Sequence, residues 1–198
     1  MKTYTVFDDY KVARFHCGDE MIYKNPTMVQ GLDTLFTNPD LDPNLVDQNG
    51  KGLSTFTVPK YKLFEVDGIE LFKQWFTDRA IEAAAYFGQP GASDIIINRA
   101  WSNKIWKGCS GNVHDHDPES HAMAVFYPLA PKGSADLAFV KDGVDHARNH
   151  EVLIENLAWQ NIQEGDVIFH ETHAWHTVSE HTIDNPRIVF VIEFSYRK

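Results

Sequence analysis

Arg187-Ile188-Val189-Phe190-Val191-Ile192-Glu193-Phe194 is the stretch whose reading decides the fold. It is almost wholly β-branched or aromatic, the composition of a buried strand. The turn signal Asp184-Asn185-Pro186 stands just before it. An Arg opening such a strand points along an otherwise apolar wall, where an unpaired guanidinium is costly. Its planar fork fits a carboxylate in bidentate fashion. Arg187 therefore reads as an anion clamp, or alternatively as a rim residue pairing with Asp184 or Glu180.

Working back from this strand, short apolar or alternating runs occupy residues 94–98, 100–106, 122–129, 136–140, 151–154 and 166–169, with the last run at 187–196. Gln89-Pro90-Gly91, Pro131-Lys132-Gly133, Asp142-Gly143 and Glu164-Gly165 separate them. Many short strands without a βαβ rhythm predict a mainly β (α+β) chain: a barrel or jelly roll. Before the strands, residues 67–87 carry Ile69, Phe72, Trp75, Phe76, Ala80, Ala83 and Phe87 at helical spacing. Asp67 is placed to cap that helix, and Gly88 and Pro90 to stop it. Its aromatic stripe predicts a face packed on the sheet as a buttress. Residues 24–52 are rich in Asn, Asp, Pro and Gly and read as loop with one short helix, either a lid or binding loop or a plain surface insertion. The chain is expected to be one domain over 1–198, with 1–93 as support and loops and 94–198 as the jelly-roll core.

The chain has 198 residues, 43 % hydrophobic and 23 % charged, which is ordinary globular usage and argues against disorder. A net charge of -10 gives nucleic-acid backbones and anionic membranes no electrostatic footprint. No apolar run approaches the roughly 18 residues that cross a bilayer. Cys17 and Cys109 are the only cysteines, which leaves no disulfide framework and no Cys-based zinc pattern. A cytoplasmic protein is expected.

All ten histidines except His16 fall between His114 and His181. His is the commonest side-chain metal ligand. His114 and His116 stand at i and i+2, on one face of an extended strand. His176 can approach them from another strand, with Arg187 eleven positions further on. That set predicts a metal site beside a carboxylate site.

At this point the order of the motifs carries a resemblance. Trp101-Ser102-Asn103, Lys107-Gly108, His114-Asp115-His116-Asp117-Pro118-Glu119-Ser120, Val125-Phe126-Tyr127 and Pro131-Lys132-Gly133 come first. Glu164-Gly165-Asp166-Val167-Ile168-Phe169, His176-Thr177-Val178 and Arg187-Ile188-Val189-Phe190 follow. The order resembles the Fe(II)/2-oxoglutarate-dependent oxygenase superfamily, in particular its small members from marine bacteria and their phages. The resemblance spans roughly residues 101–194. It implies a double-stranded β-helix with cupin-like architecture, Fe(II) held by the paired motif and His176, and 2-oxoglutarate chelating the iron. Arg187 would clamp the cosubstrate's 5-carboxylate, Tyr127 would add a hydrogen bond, and Trp106 would lie beside it. O2 would be consumed, with ascorbate as an optional reductant, and a substrate C–H hydroxylated with release of succinate and CO2. The substrate would be a small molecule or a peptide, a homodimer is allowed, and the compartment would be the host cytoplasm if the protein is viral.

The chain departs from the family's usual His-x-Asp plus distal His. The residue two after His114 is His116, and two after His116 is Pro118. Three readings follow: a three-His centre, a kink bringing Asp117 or Asp115 into the carboxylate role, or a metal site without the expected oxidation; the first is favoured, with His114, His116 and His176 as ligands and Asp117 as the substitute. Val189 also stands where many members have Ser. Two alternatives sit beside this reading. Gly108, five residues, then His114-x-His116 matches the start of a cupin pattern, although Glu119 comes too early and Glu171-Thr172-His173 replaces the usual Pro-x-Gly. Such a protein would be a dioxygenase or isomerase with no need for Arg187. The other alternative is a non-catalytic jelly-roll binding module.

Overall fold

The computed structural model describes residues 1–37, 41, 51–57, 63–116, 118–141 and 154–198, with Met21 described by its backbone alone. Within them the chain is mostly β and antiparallel. The strands are β1 (Lys2–Val6), β2 (Tyr10–His16), β3 (Gly52–Ser54), β4 (Asp94–Ile105), β5 (Gly111–His114), β6 (Ala122–Leu129), β7 (Leu137–Val140), β8 (Leu157–Trp159), β9 (Asp166–His170), β10 (His176–Val178) and β11 (Arg187–Arg197). The helices are α1 (Glu20–Tyr23), α2 (Pro26–Leu35) and α3 (Glu70–Ala83). A larger sheet runs β1-β2-β9-β6-β11-β4-β3, and a smaller one β5-β10-β7-β8. No helix among the described residues is long and apolar enough to cross a membrane.

The middle strands β6, β9 and β11 are buried almost throughout. Both faces of the larger sheet are therefore covered, which is why these strands read as continuous apolar runs rather than alternating ones. Alternation still sorts the residues. Ala124, Phe126, Phe169, Phe190, Ile192 and Phe194 belong to the core on the helical side. Met123, Val125, Tyr127, Ile168, Val189 and Val191 face the other way and share a core with Leu137 and Phe139 of the smaller sheet. The inner core is where a site can be both enclosed and built from two sheets.

Helix α3 supplies the outer cover. Phe72, Phe76, Ala80 and Ala83 lie on its buried stripe, at the spacing that returns to one helical face. The Phe72 ring stacks on Phe126 with centroids 4.1 Å apart, and Phe76 stacks on Phe169 at 5.3 Å. Burying each such ring stabilises by about 1.5–3 kcal/mol relative to exposure. The helix starts later than its periodicity predicts. Gly68 takes a left-handed conformation (φ +83°), so residues 66–69 form a turn, and Ile69 rather than Asp67 precedes the helix without a side-chain cap.

Several predicted strands take different bounds. The runs predicted at 94–98 and 100–106 merge into one strand, β4, which ends at Ile105 and has a register shift opposite Glu193 and Phe194. Polar Asn98 and Arg99 look like a break in the sequence, but Asn98 Nδ2 donates to Ser120 Oγ and Ser195 Oγ at 2.8 Å each. Of the run predicted at 151–154, residues 151–153 lie outside the described residues, and Ile154 begins a 3-10 turn; the strand is β8, further on. The turn expected at Asp142-Gly143 also lies outside them. The hairpin β1–β2, absent from the sequence reading, extends the larger sheet through β2 to β9. Its turn uses Phe7 and Asp8 at positive φ and contains no Gly. In the region 24–52, α2 begins after Asn25, whose Oδ1 accepts from Thr27 N at 3.0 Å. Residues 38–40 and 42–50, which carry most of the lid expectation, lie outside the described residues.

Candidate metal centre

His114 ends β5 and His176 opens β10, and the two are direct Cα partners across an antiparallel pair. Such partners project to one face, and the ring centroids stand 4.3 Å apart. His116 lies two residues beyond His114, with its backbone N donating to Thr172 O at 2.9 Å. Its ring lies parallel to that of His176, centroids 5.1 Å apart. One ligand nitrogen from each of the three lies within 4.8 Å of the others.

The outer hydrogen bonds fix which nitrogen faces inward. His114 Nδ1 donates to Asn112 O, His176 Nδ1 to Ala174 O and His116 Nδ1 to Glu193 Oε1, each at 2.9 Å. Carbonyl and carboxylate oxygens only accept, so Nδ1 is the proton-bearing nitrogen of each ring, and the tautomer this selects carries its lone pair on Nε2. The Nε2 of His116 is buried without a hydrogen-bond partner. Three lone pairs facing one point, with no donor among them, suit a divalent cation. His176 is buried, and loss of solvent followed by the neighbouring imidazoles holds its pKa well below the ordinary histidine value. His114 has an exposed edge, but the atoms crowding its ring also push its pKa down, against the opposing pull of the Asn112 carbonyl. Both stay neutral and ready to ligate near neutral pH.

The anion side of the site comes from the larger sheet. Arg187 opens β11 and is 2 % exposed. Its guanidinium carbon sits 5.0 Å from the centroid of the Tyr127 ring on β6. No carboxylate among the described residues pairs with it, and its Nε has no hydrogen-bond partner. The rim alternative fails on burial: Asp184 pairs instead with Lys107 Nζ at the surface, 2.9 Å away. Burial lowers the Arg187 pKa and raises that of Tyr127, and each opposes the shift of the other. The Tyr127 hydroxyl is likewise buried, and the Arg187 guanidinium is the polar group beside it. Arg187, Tyr127, His114, His116 and His176 all line one cavity of about 90 Å³.

Other expected residues fall elsewhere. Trp106 does not line this cavity; Lys104 Nζ lies 5.6 Å from its ring centroid, and Trp101 is the tryptophan that reaches the cavity, 5.6 Å from His116. Asp117 lies outside the described residues, and Asp115 is exposed and not grouped with the three imidazoles. The Gly165-Asp166 turn is structural. Gly165 has φ +86°, and a Cβ there would stand 2.8 Å from Cys17 O. Asp166 holds Arg14 in a close ion pair and accepts from His16 Nδ1 at 3.0 Å, tying β9 to β2. Three residues escaped the sequence reading. Glu193 is a lone carboxylate inside an apolar strand, a signal that was there to be read. Asn103 lines the cavity with a buried, unpartnered Oδ1. His170 is fully buried beside His176, and burial lowers its pKa to about 3.

No protein-family profile matches the chain, and no curated protein matches it in sequence. Its fold is that of 2-oxoglutarate/Fe(II) oxygenases of known structure. HygX from Streptomyces hygroscopicus, crystallised with nickel, 2-oxoglutarate and hygromycin B, superposes with a TM-score of 0.58 at 12 % identity, over 94 % of this chain and 82 % of that one. A Pseudomonas putida prolyl-4-hydroxylase gives 0.57 at 11 % identity, over 96 % and 95 %. The epimerase SnoN, in complex with Fe3+, α-ketoglutarate and nogalamycin RO, gives 0.60 at 13 % identity, over 96 % and 81 %.

Proposed function

We propose that the chain is an Fe(II)- and 2-oxoglutarate-dependent oxygenase that hydroxylates a C–H bond of a small-molecule or peptide substrate. The observation that carries this is Arg187: a buried guanidinium with no carboxylate partner among the described residues, in the same cavity as three converging imidazoles. A metal site of the cupin type has no use for that cation. A structural histidine cluster has no use for three inward lone pairs.

In this reading the two sheets form a double-stranded β-helix in a single domain, and His114, His116 and His176 hold the metal. Iron bound there would supply the chemistry by which O2 oxidises 2-oxoglutarate to succinate and CO2 and converts a substrate C–H to C–OH; one oxygen atom of O2 would enter succinate, the other the hydroxylated product, and the CO2 would come from the 1-carboxylate. Arg187 receives the 5-carboxylate in bidentate fashion, Tyr127 donates its hydroxyl proton to the same group, and Asn103 offers a further polar contact where Val189 brings none. Trp101, Val125, Val189 and Val191 exclude water from the reacting groups. The two cysteines, free and buried, support a reducing compartment such as the cytoplasm.

Succinate formation from 2-oxoglutarate, followed with Fe(II) and air, tests the reaction. Formation that needs both iron and O2 supports it. Metal-bound protein that leaves 2-oxoglutarate untouched across a substrate screen points instead to the cupin-type alternative.

A further inference from the structure

Glu193 stands alone among apolar neighbours in β11, 2 % exposed, with its Oε1 2.9 Å from His116 Nδ1. Its cross-strand neighbour on β4, Arg99, turns away and lies over the Phe56 ring, 5.0 Å from the centroid. No Lys or Arg among the described residues pairs with the carboxylate. The other two imidazoles donate their Nδ1 protons to neutral backbone carbonyls. His116 alone of the three has an anion behind it.

We infer that Glu193 is a positioning residue for the metal centre: it supplies, through His116, the negative charge that a carboxylate ligand would otherwise place on the metal. The inference rests on the three imidazoles holding a divalent cation. A carboxylate behind a ligating imidazole fixes ring orientation and strengthens the ring as a donor. The charges also balance. A dication, a dianionic cosubstrate, the Arg187 cation and one carboxylate sum to zero in a site with little water to screen them. Three neutral imidazoles alone would leave that set one positive charge in excess. Glu193 removes the excess from one bond further out, and so leaves a third imidazole where the usual centre has its carboxylate.

The experiment compares anaerobic Fe(II) affinity, by competition with a colorimetric chelator, in the wild-type protein, Glu193→Gln and Glu193→Asp. Glutamine keeps an acceptor oxygen for Nδ1 and removes only the charge. The expected result is roughly 10- to 100-fold weaker Fe(II) binding in Glu193→Gln, with Glu193→Asp closer to wild type. Equal affinity in wild type and Glu193→Gln overturns the inference and leaves the metal site intact. Wild-type protein that binds Fe(II) no better than His176→Ala overturns the metal site itself. If Glu193→Gln does not fold, the imidazole Nδ1 protons of the Zn(II)-loaded wild type decide by NMR. The His116 proton is expected furthest downfield of the three; resonance level with those of His114 and His176 overturns the inference.

Discussion

His114 and His176 face each other as Cα partners across β5 and β10, their ring centroids 4.3 Å apart. One strand pairing thus brings together two residues 62 positions apart in sequence. Backbone hydrogen bonding sets the distance between these two imidazoles before any cation is bound, so little ordering is left for binding to accomplish.

His176→Ala is expected to abolish tight Fe(II) binding and, with it, 2-oxoglutarate turnover. It removes the most buried of the three rings, whose Nδ1 bond to Ala174 O holds the inward lone pair. Metal content after gel filtration and succinate formation check it. Retained succinate production would remove His176 from the ligand set.

Arg187→Ala is expected to raise the 2-oxoglutarate concentration needed for half-saturation by about 10- to 100-fold, since a hydrogen bond to a charged group contributes about 1.5–3 kcal/mol. Fe(II) affinity should change little, because Arg187 belongs to the larger sheet and the imidazoles to the smaller one and its flank. Tyr127→Phe should follow the same direction with a smaller effect, about 1 kcal/mol. Calorimetric titration of the metal-loaded protein with 2-oxoglutarate separates the two variants.

Phe72→Ala should destabilise the protein by about 3–5 kcal/mol. The ring is fully buried, stacked on Phe126 at 4.1 Å and edge-on to Phe190 at 5.9 Å, so its removal opens a cavity between α3 and the larger sheet. Urea unfolding checks it; a loss below 1 kcal/mol would mean that the helix contributes little to the sheet.

Acid should destabilise the metal-free protein. Burial holds the folded-state pKa of His170 near 3 and that of His176 well below its ordinary value, while both rings titrate near 6.5 when unfolded. Below pH 6.5 the unfolded chain therefore binds more protons than the folded one. Stability is full above that pH and falls as pH drops toward the folded-state values, by up to about 1.4 kcal/mol per pH unit for each ring. Urea midpoints at pH 7.5, 6.5, 5.5 and 4.5 should decline along that series. A midpoint that rises on acidification would contradict the burial of these imidazoles in neutral form.

Much of this was legible in the sequence because it follows from periodicity. The spacing of Phe72, Phe76, Ala80 and Ala83 marks one helical face, and the apolar runs of β6, β9 and β11 mark strands covered on both sides. The pairing of His114 with His116 is a local pattern as well. What escaped depends on long-range register. The β1–β2 turn carries none of the Gly or Asn signals that mark a hairpin, so the strands beside it were not recognised. The resemblance points to Trp106 beside the cosubstrate, yet Trp101 is the tryptophan that lines the cavity. Glu193 was visible as an acidic residue in an apolar strand, but its partner lies 77 positions away and is fixed only by the fold.

The most direct measurement of the central claim is visible absorption of the protein under anaerobic conditions, titrated first with Fe(II) and then with 2-oxoglutarate. A weak metal-to-ligand charge-transfer band is expected that forms only when both are present, is lost in His176→Ala and needs more 2-oxoglutarate in Arg187→Ala. Bound Fe(II) that gives no new band at saturating 2-oxoglutarate would contradict the claim.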